Sequence, residues 1–338
     1  MGTPPLVTVL MPIYNGEAYL RLAVDSILSQ VFTDFELLLI NDGSTDGSAA
    51  ILESYADPRI RLYHNETNLK LTATLNKGIS LARGQYIARM DCDDIALPQR
   101  LNKQVIFMQQ HPDIGILGTN YRVINSEGEP GTTSHYPTEH GLIRWRLIFG
   151  SYIAHPTVMM RTDVIHQLGG YRPGIVAEDY DLWQRAAWHT RLANLPDCLH
   201  LLRKLASSAS RVQYTQVYAS SIATSLAVMT AILGHEVRGF SENPLSLATQ
   251  IHNWRFESSK DASQAAYLLY DLAQASAADT SLTSHEHHLV CNDAARWLTH
   301  IFRKHRTLST LILAVKLDPY LPLRLPGWVI HWFTDPSH

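Results

Sequence analysis

Short apolar runs alternating with helical patterns constrain this 338-residue chain more than any other feature. Leu6–Met11 reads as a buried strand, followed by a helix from about Glu17 to Gln30. Phe35–Ile40 is a second strand before a helix over Asp46–Tyr55, and Ile60–Tyr63 a third before a helix across Leu71–Ala82. Tyr86–Met90 is a fourth strand. Pro98 then opens a helix with Leu101, Val105 and Met108 at helical spacing, ending near His111-Pro112. This rhythm predicts right-handed βαβ units on a mainly parallel sheet covered on both faces.

The pattern becomes mixed from Ile114 to Asp197. It shows a strand at Gly115–Gly118, a turn-rich stretch over Asn125–Pro137 and a helix at Gly141–Phe149. A strand at Thr157–Arg161 and a helix beginning near Glu178 follow. After about Gln213 strand signals vanish, and helices run to about Val315. The shift predicts an α/β domain over residues 1–210 and a helical C-terminal extension over 211–338. One uncharged stretch, Val212–Gly234, is long enough to span a bilayer. Gln213, Gln216, Thr224 and Thr230 interrupt it, which predicts a buried soluble helix.

Composition narrows the function classes. A formal net charge of −3 gives no basic excess, which argues against a nucleic-acid partner. Three well-separated cysteines, Cys92, Cys198 and Cys291, argue for a reducing compartment. The N-terminal Met-Gly-Thr-Pro-Pro lacks the regions of a signal peptide, so a cytoplasmic location is expected.

In an open parallel sheet, ligands bind beyond the carboxyl ends of the strands. The first strand ends in Pro12-Ile13-Tyr14-Asn15, the second in Asn41-Asp42-Gly43-Ser44-Thr45-Asp46, the fourth in Asp91-Cys92-Asp93-Asp94. Three carboxylates within four residues repel one another unless a cation neutralises them. Carboxylate oxygens suit a hard divalent ion that takes its remaining ligands from phosphates and water. In an extended segment Asp91 and Asp93 point to the same side, so one metal-diphosphate complex can engage both. The same residues can also form a solvated acidic turn. Asp42 can accept the N3–H of a uracil with Tyr14 packed on the ring, or it can belong to a plain turn before Asp46 as helix N-cap. Glu178-Asp179-Tyr180-Asp181-Leu182-Trp183 is either an acidic helix start favoured by the macrodipole or the seat of a general base. Trp183 offers a sugar-stacking face or fills core.

The runs P-I-Y-N-G-E-x-Y-L, S-I-L-S-Q-x-F-x-D-F-E and N-D-G-S-T-D-G-S resemble family 2 glycosyltransferases of the GT-A fold. So do L-N-K-G-I-S-L-A-R-G-Q-Y-I-A-R-M-D-x-D-D, H-P-T-V-M-M-R, G-G-Y and E-D-Y-D-L-W. The resemblance covers roughly Val7 to Arg203. It implies a donor-binding half over about 1–112 and an acceptor-side half over about 113–210. Nucleotide contacts are implied from Pro12, Ile13, Tyr14, Glu17 and Asp42, with Asn68, Lys70 and Asp91-Cys92-Asp93 completing the donor set. Asp93 is the implied direct ligand of Mn²⁺ or Mg²⁺, with Asp91 beside it. Asp179 is the implied base, with Glu178 and Trp183 on the acceptor side.

Two departures from the family pattern stand out. Lys70 occupies a place where many relatives have glycine; it can reach the base or phosphates or remain solvated. Arg203 is followed two residues on by Leu205 rather than a histidine, which leaves a third protein ligand in doubt. His155 is a further donor-side candidate.

The resemblance implies transfer of a sugar from a nucleotide-diphosphate donor, with uridine diphosphate the usual nucleotide, to a glycan, lipid-linked or other hydroxyl acceptor with inversion. A nucleotidyltransferase is the first rival, but Tyr14-Asn15-Gly16-Glu17 lacks the basic glycine-rich loop that would hold a triphosphate. A non-catalytic binding module is the second. The apolar stretch Tyr320–Phe333 suits either packing on the preceding helices or peripheral contact with the inner membrane face.

Overall fold

The run Val-Thr-Val-Leu-Met-Pro-Ile forms strand β1 (Val7–Ile13), buried at every position. The computed structural model describes residues 3–205, 214–235, 258–305 and 307–319, together with 237, 256 and 321. Strands β2 (Phe35–Asn41), β3 (Ile60–His64) and β4 (Tyr86–Arg89) lie parallel in the order β3-β2-β1-β4. Helices α1 (Leu20–Leu28), α2 (Ser48–Glu53) and α3 (Leu71–Leu81) connect them. Side chains alternate across this sheet. Val7, Val9, Met11, Ile13, Leu37 and Leu39 share one core with Ala23, Val24 and Ile27 of α1. Leu10, Leu38 and Ile40 share a second with Leu75 and Ile79 of α3. Both faces are therefore dry, which is why these strands read as unbroken apolar runs. Each fully buried Leu or Ile stabilises the fold by about 1.5–3 kcal/mol. At Gly78 helix α3 lies so close to β1 that a Cβ would run into the Leu10 side chain.

Beyond β4 the sheet changes character. The remaining strands are β5 (Ile95–Ala96), β6 (Ile114–Ile124), β7 (Pro130–Thr133), β8 (Met159–Arg161) and β9 (Arg191–Arg203). The sheet continues β4-β8-β6-β9-β5, with β7 on β6. β8 runs antiparallel to both neighbours, β6 and β9 are parallel, and β5 and β7 pair antiparallel. The parallel arrangement thus holds for the first four strands, and the rest make the sheet mixed. Helix α4 (Arg100–Gln110) covers one face, and α5 (His140–Leu147), α6 (Thr162–Gln167) and α7 (Glu178–Ala186) pack in this part. The turn-rich stretch Asn125–Pro137 also contains β7, and β5, β9 and α6 have no counterpart in the sequence pattern.

The chain divides into two compact units, Met1–Leu147 with Ser151–Ser221, and Ile148–Gly150 with Ile222–His338. In the second, α9 (Ser259–Ala277), α10 (Ser284–His305) and α11 (Leu308–Leu317) bury Leu269, Leu272, Leu298, Phe302, Leu311 and Ala314. Thr283 and Glu286 form a reciprocal cap on α10: Glu286 N donates to Thr283 Oγ1 at 3.2 Å and Thr283 N to Glu286 Oε2 at 2.9 Å. Helix α8 (Tyr214–Leu233) corrects the expectation of a buried helix. Only 17% of its apolar window is buried, at positions such as Ile222 and Met229, because it shows just one stripe inward. It is long and apolar enough to cross a membrane by length and composition. Val212, Gln213, Tyr320 and residues 322–338, with the apolar tail, lie outside the described residues.

Candidate active site

The carboxyl ends of β1 to β4 meet along one sheet edge, because the parallel register pairs Ile13 with Asn41 and Asn41 with His64. The loops after β1 and β2 are locked together. Thr45 N donates to Asn15 Oδ1 at 2.8 Å, Gly47 N to Glu17 Oε2 at 2.9 Å, and Glu17 N to Asp46 Oδ2 at 3.1 Å. Glu17, expected among the nucleotide contacts, therefore has its carboxylate on the start of α2. It begins no helix itself, since α1 starts only at Leu20. Pro12 and Ile13 are buried, so their side chains belong to the core, and Ile13 O accepts from Asp42 N at 2.7 Å.

Asp42 is 4% exposed yet only half used. Its Oδ1 accepts from Asn65 Nδ2 and from Leu69 N, both at 2.8 Å, and Lys77 Nζ donates to Asn65 Oδ1 at 2.6 Å. Oδ2 has no partner among the described residues. Gly43 (φ +68°) lets this turn approach Thr67 and Asn68 backbone, where a Cβ would clash. Asn68 Oδ1 accepts from Lys70 N at 2.8 Å, and Lys70 sits at φ +71°, ψ 161° in front of α3. That region is nearly reserved for glycine, so the lysine holds a strained backbone. Tyr14, 49% exposed, stands at the end of β1. The structure thus gathers Tyr14, Asp42, Asn68 and Lys70 at one sheet edge.

The acidic segment follows β4. Cys92 turns its thiol against Gly16 and the core, and burial pushes it up to about 12. It therefore contributes no side chain to a donor, correcting that expectation. Arg89, 2% exposed, donates from Nη1 to Asp91 Oδ2 at 2.5 Å, while its Nε is buried without a partner. Asp93 makes no ion pair among the described residues; burial, then the charges of Asp91 and Asp94, push it up to about 7. Asp94 instead points inward. Arg100 Nη1 lies 3.5 Å from His200 Nδ1, and His200 Nε2 lies 2.8 Å from Asp94 Oδ2. A guanidinium only donates, so Nδ1 accepts and Nε2 carries the hydrogen toward Asp94. Arg203 closes the loop: its N donates to Asp94 Oδ1 at 2.7 Å and its Nε to Asp93 O at 2.9 Å. Its guanidinium lies 4.2 Å from the Tyr19 ring centre.

Glu178 and Asp179 open α7. Burial, then the Asp179 charge, push Glu178 up to about 7, and burial raises Asp179. Asp181 is committed to Arg185 at 2.9 Å and Arg172 at 3.3 Å, leaving Glu178 and Asp179 as the uncommitted acids. The charge of Arg89 acts on Asp93, Glu178 and Asp179, so one buried cation serves both acidic groups. His155 lies 3.8 Å from Glu178 and 2.7 Å from the Tyr171 hydroxyl. Burial, with Arg89, holds His155 well below its usual pKa, so its contact with Glu178 is no ion pair. Trp183 is a correction: it is 0% exposed in the core and offers no face to an acceptor.

Arg89, Arg100 and Tyr171 escaped the sequence reading. The available signal was an arginine inside a strand, two residues before Asp91, where a buried charge needs a reason.

Among the described residues no three His, Cys, Asp or Glu side chains converge as a ready metal cage. Asp91 and Asp93 nevertheless fit a hard divalent ion, being oxygen donors crowded at a strand end with excess negative charge. The Leu205 side chain has no donor atom to add.

The description "Glycosyl transferase family 2" matches residues 8–169. The EpsE protein of Bacillus subtilis (strain 168) is 38% identical over 224 residues, 64% of this chain and 79% of that one. The chain belongs to the family 2 glycosyltransferases. The O-antigen biosynthesis glycosyltransferase WbnJ of Escherichia coli is 38% identical over 200 residues, covering 57% of this family 2 glycosyltransferase and 78% of WbnJ. Among solved structures, S. aureus TarS 1-349 in complex with UDP-GlcNAc aligns with TM-score 0.58 at 19% identity, over 94% of this chain and 91% of that one. The mannosyltransferase PcManGT from Pyrobaculum calidifontis, in complex with GDP-Man and Mn2+, aligns with TM-score 0.52 at 16% identity, over 94% and 87%. The fold of this family 2 glycosyltransferase is GT-A: a mixed sheet flanked by helices, with further helices after it.

Proposed function

We propose that this family 2 glycosyltransferase moves a sugar from a nucleotide-diphosphate donor, with UDP the favoured nucleotide, to an acceptor hydroxyl with inversion. The observation that carries the reading is the pair of acidic groups, Asp91/Asp93 and Glu178/Asp179, set around the buried guanidinium of Arg89. Asp42, with a free Oδ2, accepts the N3–H of the base, and Tyr14 packs on the base ring. Asp91 and Asp93 would hold the divalent ion. When bound, Mn²⁺ or Mg²⁺ neutralises charge on the leaving diphosphate. Arg89 fixes the Asp91 carboxylate and Arg203 fixes the backbone at Asp93, so the segment that carries both acids is set before donor arrives. Asp179 takes the acceptor proton on the opposite side of the sugar from the leaving group. In this single displacement the acceptor oxygen bonds to the anomeric carbon as the carbon–phosphate-oxygen bond breaks. The names of WbnJ and of the amylovoran biosynthesis glycosyltransferase AmsE of Erwinia amylovora (30% identical over 205 residues, 59% of this chain and 76% of AmsE) favour a place in polysaccharide synthesis.

Incubation with a panel of UDP-, GDP- and dTDP-sugars tests the reading. Nucleoside diphosphate released with a new glycoside supports it. Released pyrophosphate, or no turnover of any donor, overturns it.

A further inference from the structure

Tyr121 of β6, Tyr136 after β7 and Tyr152 after α5 come from three segments and pack as a ladder. Their ring centres are 6.0 and 6.2 Å apart, with interplanar angles of 68° and 69°. All three rings are half-buried, so each keeps part of its surface open. The Arg146 guanidinium lies 5.5 Å from the Tyr152 ring centre.

The backbone under the ladder is pinned by two asparagines. Asn120 Oδ1 accepts from Tyr136 N at 2.9 Å and from Ser134 Oγ at 3.2 Å, and Asn120 Nδ2 donates to Pro196 O at 2.9 Å. Asn194, 2% exposed on β9, donates from Nδ2 to Pro137 O at 2.8 Å and to Tyr152 O at 3.0 Å. One buried amide thus fixes both loops that present Tyr136 and Tyr152. Such pinning matters little for filling core, where apolar contact suffices. It matters where rings must be held at set positions for something else to pack on them.

The ladder adjoins the acceptor-side acids. Tyr152 stands three residues before His155, which lies 3.8 Å from Glu178. The charge of Asp179 also acts on the Tyr136 hydroxyl.

We infer that Tyr121, Tyr136 and Tyr152 form a saccharide subsite that seats the acceptor beside Asp179, so that the acceptor is itself a sugar. This rests on the glycosyl-transfer reading of the site. A tyrosine ring presents a flat face with negative π density, against which the C–H face of a pyranose packs. A bare hydrocarbon acceptor would ask for a groove without three phenols and a guanidinium. The donor base belongs at Tyr14 and Asp42, which leaves this ladder for the other substrate.

The test uses the full chain and a panel of p-nitrophenyl glycosides of common hexoses and N-acetylhexosamines. Binding is read by saturation-transfer NMR and UDP affinity by a separate titration. The expected result is saturation of pyranose protons by the wild type, weakened about tenfold in Tyr152→Ala and Tyr136→Leu. Tyr152→Phe should retain binding, and UDP affinity should stay the same in all variants. Thermal unfolding of each variant separates lost binding from lost fold, and Tyr152→Phe preserves the ring if Tyr152→Ala unfolds. Absence of glycoside binding by the wild type overturns the inference, as does undiminished binding in folded Tyr152→Ala or loss in Tyr152→Phe. Failure of the transfer reading shows elsewhere, as no donor turnover with glycoside binding intact.

Discussion

At the edge where the parallel strands begin, Glu36 is 2% exposed and fully engaged. Thr8 Oγ1 donates to it at 2.7 Å, Arg61 at 2.9 Å and Arg83 Nε at 2.7 Å. Burial alone would raise its pKa, but these hydrogen bonds outweigh that and hold it below the usual carboxylate value. At the edge where the same strands end, Asp93 is pushed up to about 7, and so is Glu178 at the start of α7. There the charge of Arg89 acts on five carboxylates, Asp91, Asp93, Asp94, Glu178 and Asp179, and its guanidinium is bonded only to Asp91. The first arrangement is complete as folded. The second holds acid in excess of its resident cations, which a stability-driven structure would not keep, and a ligand is what completes it.

The largest effect that would sharpen this contrast is on chemistry. Asp179→Asn should lower transfer by about 10³-fold through loss of the proton acceptor, with donor affinity retained. Equal loss of donor affinity would move Asp179 from base to donor contact.

Next comes stability, with opposite signs at the two places. Glu36→Gln removes the charge shared by Arg61 and Arg83 and should cost about 2 kcal/mol at pH 7, read by denaturant unfolding, with activity per folded molecule retained. Because the folded pKa of Glu36 is depressed, its stabilisation is present above the unfolded value of 4.5 and is lost as pH falls through the folded pKa. The difference between variant and wild type should therefore shrink in acid. Glu178 is raised from 4.5 to about 7, so the wild type loses stability as pH rises through that window. Glu178→Gln should melt higher than wild type at pH 8 and converge with it below pH 4.5. If both variants respond to pH in the same direction, the contrast fails.

The smallest expected effect is at Lys70. Lys70→Gly removes a positive-φ side chain and should stabilise the fold by about 1 kcal/mol. If the lysine also reaches the donor phosphates, nucleotide affinity falls while the melting temperature rises. An unchanged affinity leaves Lys70 a purely solvated residue.

The same contrast explains what could be read from the sequence. β1 and β2 are dry on both faces, so their apolar runs announced them, and the residues ending them fell at the sheet edge where ligands bind. β9 was illegible because it carries Pro196, Asp197 and His200 and pairs with β6 through register shifts. Trp183 misled because helical spacing is the same for a core ring and a stacking ring; only its 0% exposure separates them. Cys92 misled for a related reason: residues 92 and 93 form a turn rather than an extended segment, and that turn packs the thiol on Gly16. Tyr121, Tyr136 and Tyr152 carried no local signal, because only the pinning of two loops by Asn120 and Asn194 brings the rings together.

The central claim is that the acid in excess at the end of β4 is a seat for a divalent ion and a nucleoside diphosphate. Titration of UDP and GDP with and without Mn²⁺, in the wild type and in Asp93→Ala, tests it most directly. The wild type should bind the preferred nucleotide at least about tenfold more tightly with the ion, and Asp93→Ala should erase that difference while keeping its fold. Nucleotide affinity indifferent to the ion in the wild type, or a dependence that survives in Asp93→Ala, would contradict the account.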